Sequence, residues 1–82
     1  MSDNNCLVLG GLGFIGSHVV DSLVARGYNV RIFDLPNIST ENVSHCIDAV
    51  EIISGDFYNV RDTERALDGI DVVVHLVGTT LP

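Results

Sequence analysis

Four glycines fall within seven residues, at Gly10, Gly11, Gly13 and Gly16, and an apolar run stands on each side of them. The run before, Cys6 to Leu9, is short, continuous and ended by Gly10, which fits a strand buried on both faces. The run after places Ile15, Val19, Val20, Leu23 and Val24 at helical spacing, predicting a helix from about Phe14 to Arg26 with Gly27 as its stop. A glycine cluster where a strand hands over to a helix is a constrained arrangement. Backbone N–H groups left unpaired at the helix start, together with the helix dipole, make an anion site there.

The spacing can be counted in two registers. From Gly11 it is G-x-G-x-x-G through Gly13 and Gly16; from Gly10 it is G-x-x-G-x-x-G through the same two. In either register one glycine makes the tight turn, Gly13 lets the backbone approach a pyrophosphate with no Cβ in the way, and Gly16 permits close helix packing. The alternative is a tight strand-to-helix turn with no ligand.

The rest of the chain supplies the context that the motif requires. "NVRIFDL" predicts a second strand ending near Asp34, an acidic residue 18 positions beyond Gly16. A carboxylate there accepts from the 2′- and 3′-hydroxyls of a ribose and repels a 2′-phosphate, which favours NAD over NADP; the plain alternative is a solvated strand end. Residues 36–48 read as a loop with one short helix around Glu41 to Cys46. "AVEIIS" predicts a third strand over Ala49 to Ser54. Asn59 caps a helix running to about Asp68, with Asp62 in its third position and Gly69 beyond its end, and Asp71 to Val77 forms a fourth strand. Alternation of this kind with nearly unbroken apolar strands specifies an α/β class: the N-terminal portion of a Rossmann-type doubly wound parallel sheet, four strands in the order 3-2-1-4.

Composition excludes several functions. A net charge of −7, with four arginines as the whole basic complement, leaves no basic patch for nucleic acid. No apolar stretch is long enough to span a membrane and no leader precedes "SDNN", so the expected location is cytoplasmic. Cys6 and Cys46 form neither a C-x-x-C pair nor a Cys/His cluster at metal spacing, and are expected to be buried free thiols with no metal site. The acidic series Asp62, Glu64, Asp68 and Asp71 reads as a solvated face. His75, in an apolar strand, reads as a core histidine, His18 as a packing or capping residue, and His45 carries no functional reading.

"GGLGFIGSHVV", "FDL", "GDF" and "VVVHLVG" together resemble the extended short-chain dehydrogenase/reductases, and within them the NAD-dependent nucleotide-sugar epimerases and dehydratases. The resemblance implies that Gly10, Gly13, Phe14 and Ile15 line the pyrophosphate and that Gly16 packs the turn. It puts Asp34 at the adenosine ribose, Asp56 and Phe57 at the adenine, and Val77 and Gly78 close to the cofactor beyond the fourth strand. Leu9 and Val77 depart from the Thr and Ala frequent at those positions in the family. The family's Tyr-x-x-x-Lys pair, in which tyrosine is the acid or base, has no counterpart: the 82 residues contain no lysine, and no catalytic residue is assigned.

The expectation is therefore that residues 1–82 form a partial NAD-binding domain, the N-terminal part of a longer, homodimeric subunit. That subunit would act on a nucleotide-sugar by hydride abstraction to a keto intermediate. A related reductase that releases its oxidised product is the alternative, or a non-catalytic dinucleotide-binding module if the natural chain ends at Pro82.

Overall fold

The computed structural model describes residues 4–76. Four parallel strands, β1 (Asn5–Leu9), β2 (Asn29–Asp34), β3 (Val50–Ser54) and β4 (Val72–His75), form one sheet in the order β3-β2-β1-β4. Helix α1 (Phe14–Ala25) joins β1 to β2, a 3-10 segment (Glu41–Ala49) lies between β2 and β3, and helix α2 (Val60–Leu67) joins β3 to β4. The expected topology is the one observed.

The apolar side chains of β1, β2 and β3 alternate between two clusters, as the period of a strand requires. Cys6, Val8, Val30 and Ile32 pack with Leu12, Val20 of α1 and Val43 of the 3-10 segment. Leu7 and Phe33 face the other way, onto Ala66 of α2, with Ile53, Phe57 and Ile70 beside them. Helices therefore cover both faces, and Cys6, Leu7 and Val8 of β1 are fully buried between them. Cys6, Val30 and Val50 stand abreast in the sheet, and Leu9 opposes both Phe33 and His75. All four strands run toward one carboxyl edge. β4 has a neighbour on one side only among the described residues, and its Val72 and Val73 remain partly exposed.

The helix ends follow their local chemistry. α1 stops in a Schellman arrangement: the Tyr28 N–H donates to the Leu23 carbonyl, the Gly27 N–H to the Val24 carbonyl, and Gly27 takes φ +88°. At α2 the Asn59 side chain accepts from the Asp62 N–H at 3.0 Å. Arg31 of β2 closes the other end, donating from Nη1 to the carbonyls of Ala66 and Asp68 while its Nε meets Glu51.

Three expectations shift. The helix expected around Glu41 to Cys46 is a longer 3-10 segment, broken at Cys46 by non-helical backbone (φ −127°, ψ 22°). β3 begins at Val50 and not Ala49, and β4 covers Val72–His75 of the expected Asp71 to Val77. His75 is exposed and so is not a core histidine among the described residues.

Candidate cofactor site at the carboxyl edge of the sheet

The four clustered glycines do four different things. Gly10 turns the chain out of β1 with φ +85°, and its N–H donates to the Phe33 carbonyl of β2. A Cβ on Gly11 would lie 2.9 Å from the Ile32 side chain, so its absence lets the turn settle on the core. A Cβ on Gly16 would lie 2.2 Å from the Gly10 carbonyl oxygen, so only glycine lets α1 start against the turn. Gly13 is different. Its φ of −74° suits any residue, and a Cβ there would meet nothing nearer than 3.9 Å. Neither backbone strain nor packing within the described residues requires glycine at position 13.

Gly13 is also the N-cap of α1, where no side chain caps the helix and no acidic residue occupies the first turn. The opening amides of the helix thus have no intrahelical acceptor, and the positive end of its dipole faces outward. Phe14 and Ile15 stand 72% and 69% exposed beside them, with the Phe14 ring edge-on to His18 at 4.7 Å. Between the two registers left open by the spacing, the turn role falls to Gly10.

Asp34, at the carboxyl end of β2, is buried and not a solvated strand end, with 8% of its surface exposed. Its Oδ2 accepts from the Leu12 N–H at 3.1 Å and its Oδ1 from the Leu35 N–H at 2.8 Å. An ionised carboxylate has about four acceptor positions, and these two hydrogen bonds use two of them. The same carboxylate therefore fixes the glycine turn to β2. Asn42 of the 3-10 segment holds the turn from the other side, donating to the Leu12 carbonyl at 3.2 Å. Leu12 itself is buried, which seats the turn in the core.

Asp56 and Phe57 follow β3 at the same edge. The Asp56 carboxylate accepts from the Tyr58 N–H, and its own N–H donates to Asp62 Oδ2. Phe57 is half-buried and packs edge-on against Phe33, ring centroids 5.2 Å apart. A shallow depression of 280 Å³, lined by Phe57, Tyr58, Asn59, Val60, Thr63 and Glu64, opens next to them. Gly55 lets this loop close: a Cβ there would sit 2.7 Å from the Phe33 ring. Gly10, Gly13, Phe14, Ile15, Gly16, Asp34, Asp56 and Phe57 are thus gathered along the strand ends. Val77 and Gly78 lie outside the described residues.

The larger depression, 390 Å³, lies at the opposite, amino edge, between Asn5, Asn29, Asp48 and Gly69. In open parallel sheets ligands bind beyond the carboxyl ends, and Arg31 at this hollow is already engaged with Glu51 and the end of α2. We assign it no function. The fold also brings together three residues that sequence spacing kept apart, Asp21, His45 and Cys46, considered below. Their adjacency needed the α1 to 3-10 packing, and the neighbouring positions 45 and 46 were its single local trace.

An α/β sheet in this order, with a glycine turn and an acidic residue at adjacent strand ends, defines a Rossmann-type dinucleotide-binding fold. The model of the 3-beta hydroxysteroid dehydrogenase/isomerase family matches residues 7–81, and the chain belongs to that family. The mouse sterol-4-alpha-carboxylate 3-dehydrogenase (decarboxylating) is 39% identical over 70 residues, covering 85% of this chain and 18% of that protein. A putative UDP-glucose 4-epimerase of Methanocaldococcus jannaschii is 37% identical over 71 residues, 84% of this chain and 22% of that one. Among solved structures, the NAD complex of Thermus thermophilus UDP-glucose 4-epimerase superposes with a TM-score of 0.76 at 35% identity, covering 93% of this chain and 24% of its own. The NAD complex of Bacillus anthracis dTDP-glucose 4,6-dehydratase gives 0.78 at 28% identity, over 92% and 27%. The chain thus spans about a fifth to a quarter of the length of these relatives. The sequence resemblance to the extended short-chain dehydrogenase/reductases holds. Among the described residues no helix is long and apolar enough to cross a membrane.

Proposed function

We propose that this chain binds NAD at the carboxyl edge of its sheet, as the cofactor-holding part of a longer enzyme that oxidises a carbinol carbon of its substrate. The observation that carries the reading is Gly13: neither strain nor packing among the described residues requires glycine there, and the helix start it opens has no side-chain cap, which leaves the opening amides clear for an anion. Solved relatives of similar fold that are NAD complexes support the choice of cofactor.

The chain's own residues divide the work. The Gly13, Phe14 and Ile15 amides hold the pyrophosphate, where the helix dipole favours negative charge. Gly10 and Gly16 fix the turn's shape. Asp34 accepts from the adenosine ribose hydroxyls with its remaining lone pairs and disfavours a 2′-phosphate, hence NAD over NADP. Asp56 and Phe57 border the adenine. Bound NAD supplies a hydride acceptor. Proton transfer falls to residues outside these 82, because the Tyr-x-x-x-Lys pair of the family has no lysine here to form it.

For the substrate, the epimerase and dehydratase relatives support a nucleotide-sugar. The 39% identity to a sterol-4-alpha-carboxylate 3-dehydrogenase favours a second reading, a dehydrogenase that releases reduced cofactor after each turnover. Titrating NAD and NADP into the full-length protein, native and Gly13→Val, tests the site. Binding of NAD that Gly13→Val abolishes is expected, and unchanged affinity would remove the pyrophosphate assignment. Retention of the cofactor through turnover separates the two substrate readings.

A further inference from the structure

A second cluster of chemistry-bearing groups lies on the α1 face, where α1 meets the 3-10 segment. The Asp21 carboxylate of α1 contacts His45 Nε2 at 2.5 Å through Oδ1, and the Cys46 thiol lies beside the same carboxylate. One ligand atom from each of the three residues falls within 4.8 Å of the others. The pair at 45 and 46 is unusual, since successive side chains of a regular 3-10 helix diverge by about 120°. The backbone break at Cys46 allows both to aim at Asp21. Half of this cluster is open to solvent, with the His45 and Asp21 side chains 57% and 44% exposed.

We propose that Asp21, His45 and Cys46 form a three-ligand site for a borderline divalent transition-metal ion, with Zn²⁺ the best match, that fastens the 3-10 segment to α1. An imidazole, a thiolate and a carboxylate form a donor set of the kind Zn²⁺ takes, whereas Mg²⁺ and Ca²⁺ prefer oxygen alone. Zinc bonds of about 2.0–2.3 Å place tetrahedral donors roughly 3.3–3.8 Å apart. The widest pair here closes by about 1 Å and the His45–Asp21 pair opens by a similar amount, within reach of rotations of exposed side chains. On binding, the Cys46 S–H bond breaks, the sulfur's electron pair goes to the metal and the proton leaves to solvent; the Nε2–H bond that His45 turns toward Asp21 breaks likewise, its electron pair going to the metal and its proton to solvent, with the neutral ring protonated at Nδ1. Water completes the coordination from the exposed side.

The test uses Co²⁺ as a probe on the full-length protein, reduced and stripped with chelator. The expected result is one equivalent bound with a thiolate-to-cobalt charge-transfer band, displaced by Zn²⁺. Cys46→Ser should abolish the band, and His45→Gln and Asp21→Asn should each weaken affinity by more than about tenfold. Cys6→Ser should leave it unchanged, since Cys6 is buried in the core. Urea midpoints in chelator verify that each variant folds; for one that does not, His45→Ala or Asp21→Ser takes its place. Absence of the band would overturn the proposal. So would full affinity in both the His45 and Asp21 variants, which would reduce the feature to a lone thiolate adduct beside an ion pair.

Discussion

Two alanine substitutions three residues apart should have opposite consequences. At Gly16 the new Cβ would stand 2.2 Å from the Gly10 carbonyl oxygen and 2.9 Å from the Gly11 Cα. That is about 1 Å inside ordinary contact, and both obstacles are backbone, so neither can rotate away. Overpacking of this kind costs about 1–3 kcal/mol, and Gly16→Ala belongs at the upper end because α1 must shift as a body. At Gly13 the nearest atom is 3.9 Å away and φ is already −74°, so Gly13→Ala changes stability by the loss of a favourable N-cap residue alone, about 1 kcal/mol or less. In the NAD titration the ranking reverses. The Gly13 methyl occupies the approach of the pyrophosphate and should cost at least about tenfold in affinity, equivalent to ~1.4 kcal/mol. Urea unfolding and NAD binding, measured on both variants of the full-length protein, give four numbers. If Gly13→Ala binds NAD like the native protein, the argument that an external group dictates glycine at this position is wrong. If Gly16→Ala is as stable as the native protein, so is the reading of the turn.

Asp34→Ala orphans the buried Leu12 N–H and should destabilise by about 1–3 kcal/mol, while weakening NAD and narrowing its preference over NADP; an unchanged NAD/NADP ratio would move the ribose contact elsewhere. Asn59→Ala removes the acceptor for the Asp62 N–H and should cost about 1 kcal/mol by thermal or urea unfolding. A double-mutant cycle on Phe33→Leu and Phe57→Leu should return a coupling of about 0.5–1.5 kcal/mol for the edge-on pair, and additive effects would show that the rings do not interact. Burial and the Asp21 carboxylate both push the Cys46 thiol above its ordinary pKa. In chelator, Asp21→Asn should therefore lower that pKa, raise the thiolate fraction at a given pH and speed alkylation; a slower rate would reverse the assignment.

What was legible in the sequence was what local pattern encodes. Unbroken apolar runs gave strands, Asn59 and Gly27 marked helix ends, and alternation of elements gave a doubly wound parallel sheet. The spacing of the glycines announced a turn but not the labour within it, because Gly10 and Gly11 differ only in φ and in what lies beneath them. Asp34 was legible as an acidic strand end, yet its bond to Leu12 spans 22 residues and leaves no local sign. The same holds for Asn42 on the Leu12 carbonyl, for Arg31 closing α2, and for Asp21 meeting His45. The segment after β2 is the least legible. Its apolar residues lack a helical period, and it is held by Val43 buried in the core and by long-range contacts of Asn42, His45 and Cys46 that leave no local sign.

The bond between Asp34 and Leu12 bears on how such a chain could change over generations. A side chain that merely selected between dinucleotides could be exchanged in one step. This one also holds the amide of the residue before Gly13, so replacing it with an arginine to welcome a 2′-phosphate would leave a buried donor without an acceptor. A lineage shifting toward the phosphorylated cofactor would have to acquire a substitute acceptor first, and the single-step intermediates would be less stable than either end. On the role proposed for Asp34, a change of cofactor preference would therefore carry a structural cost as well as a catalytic one.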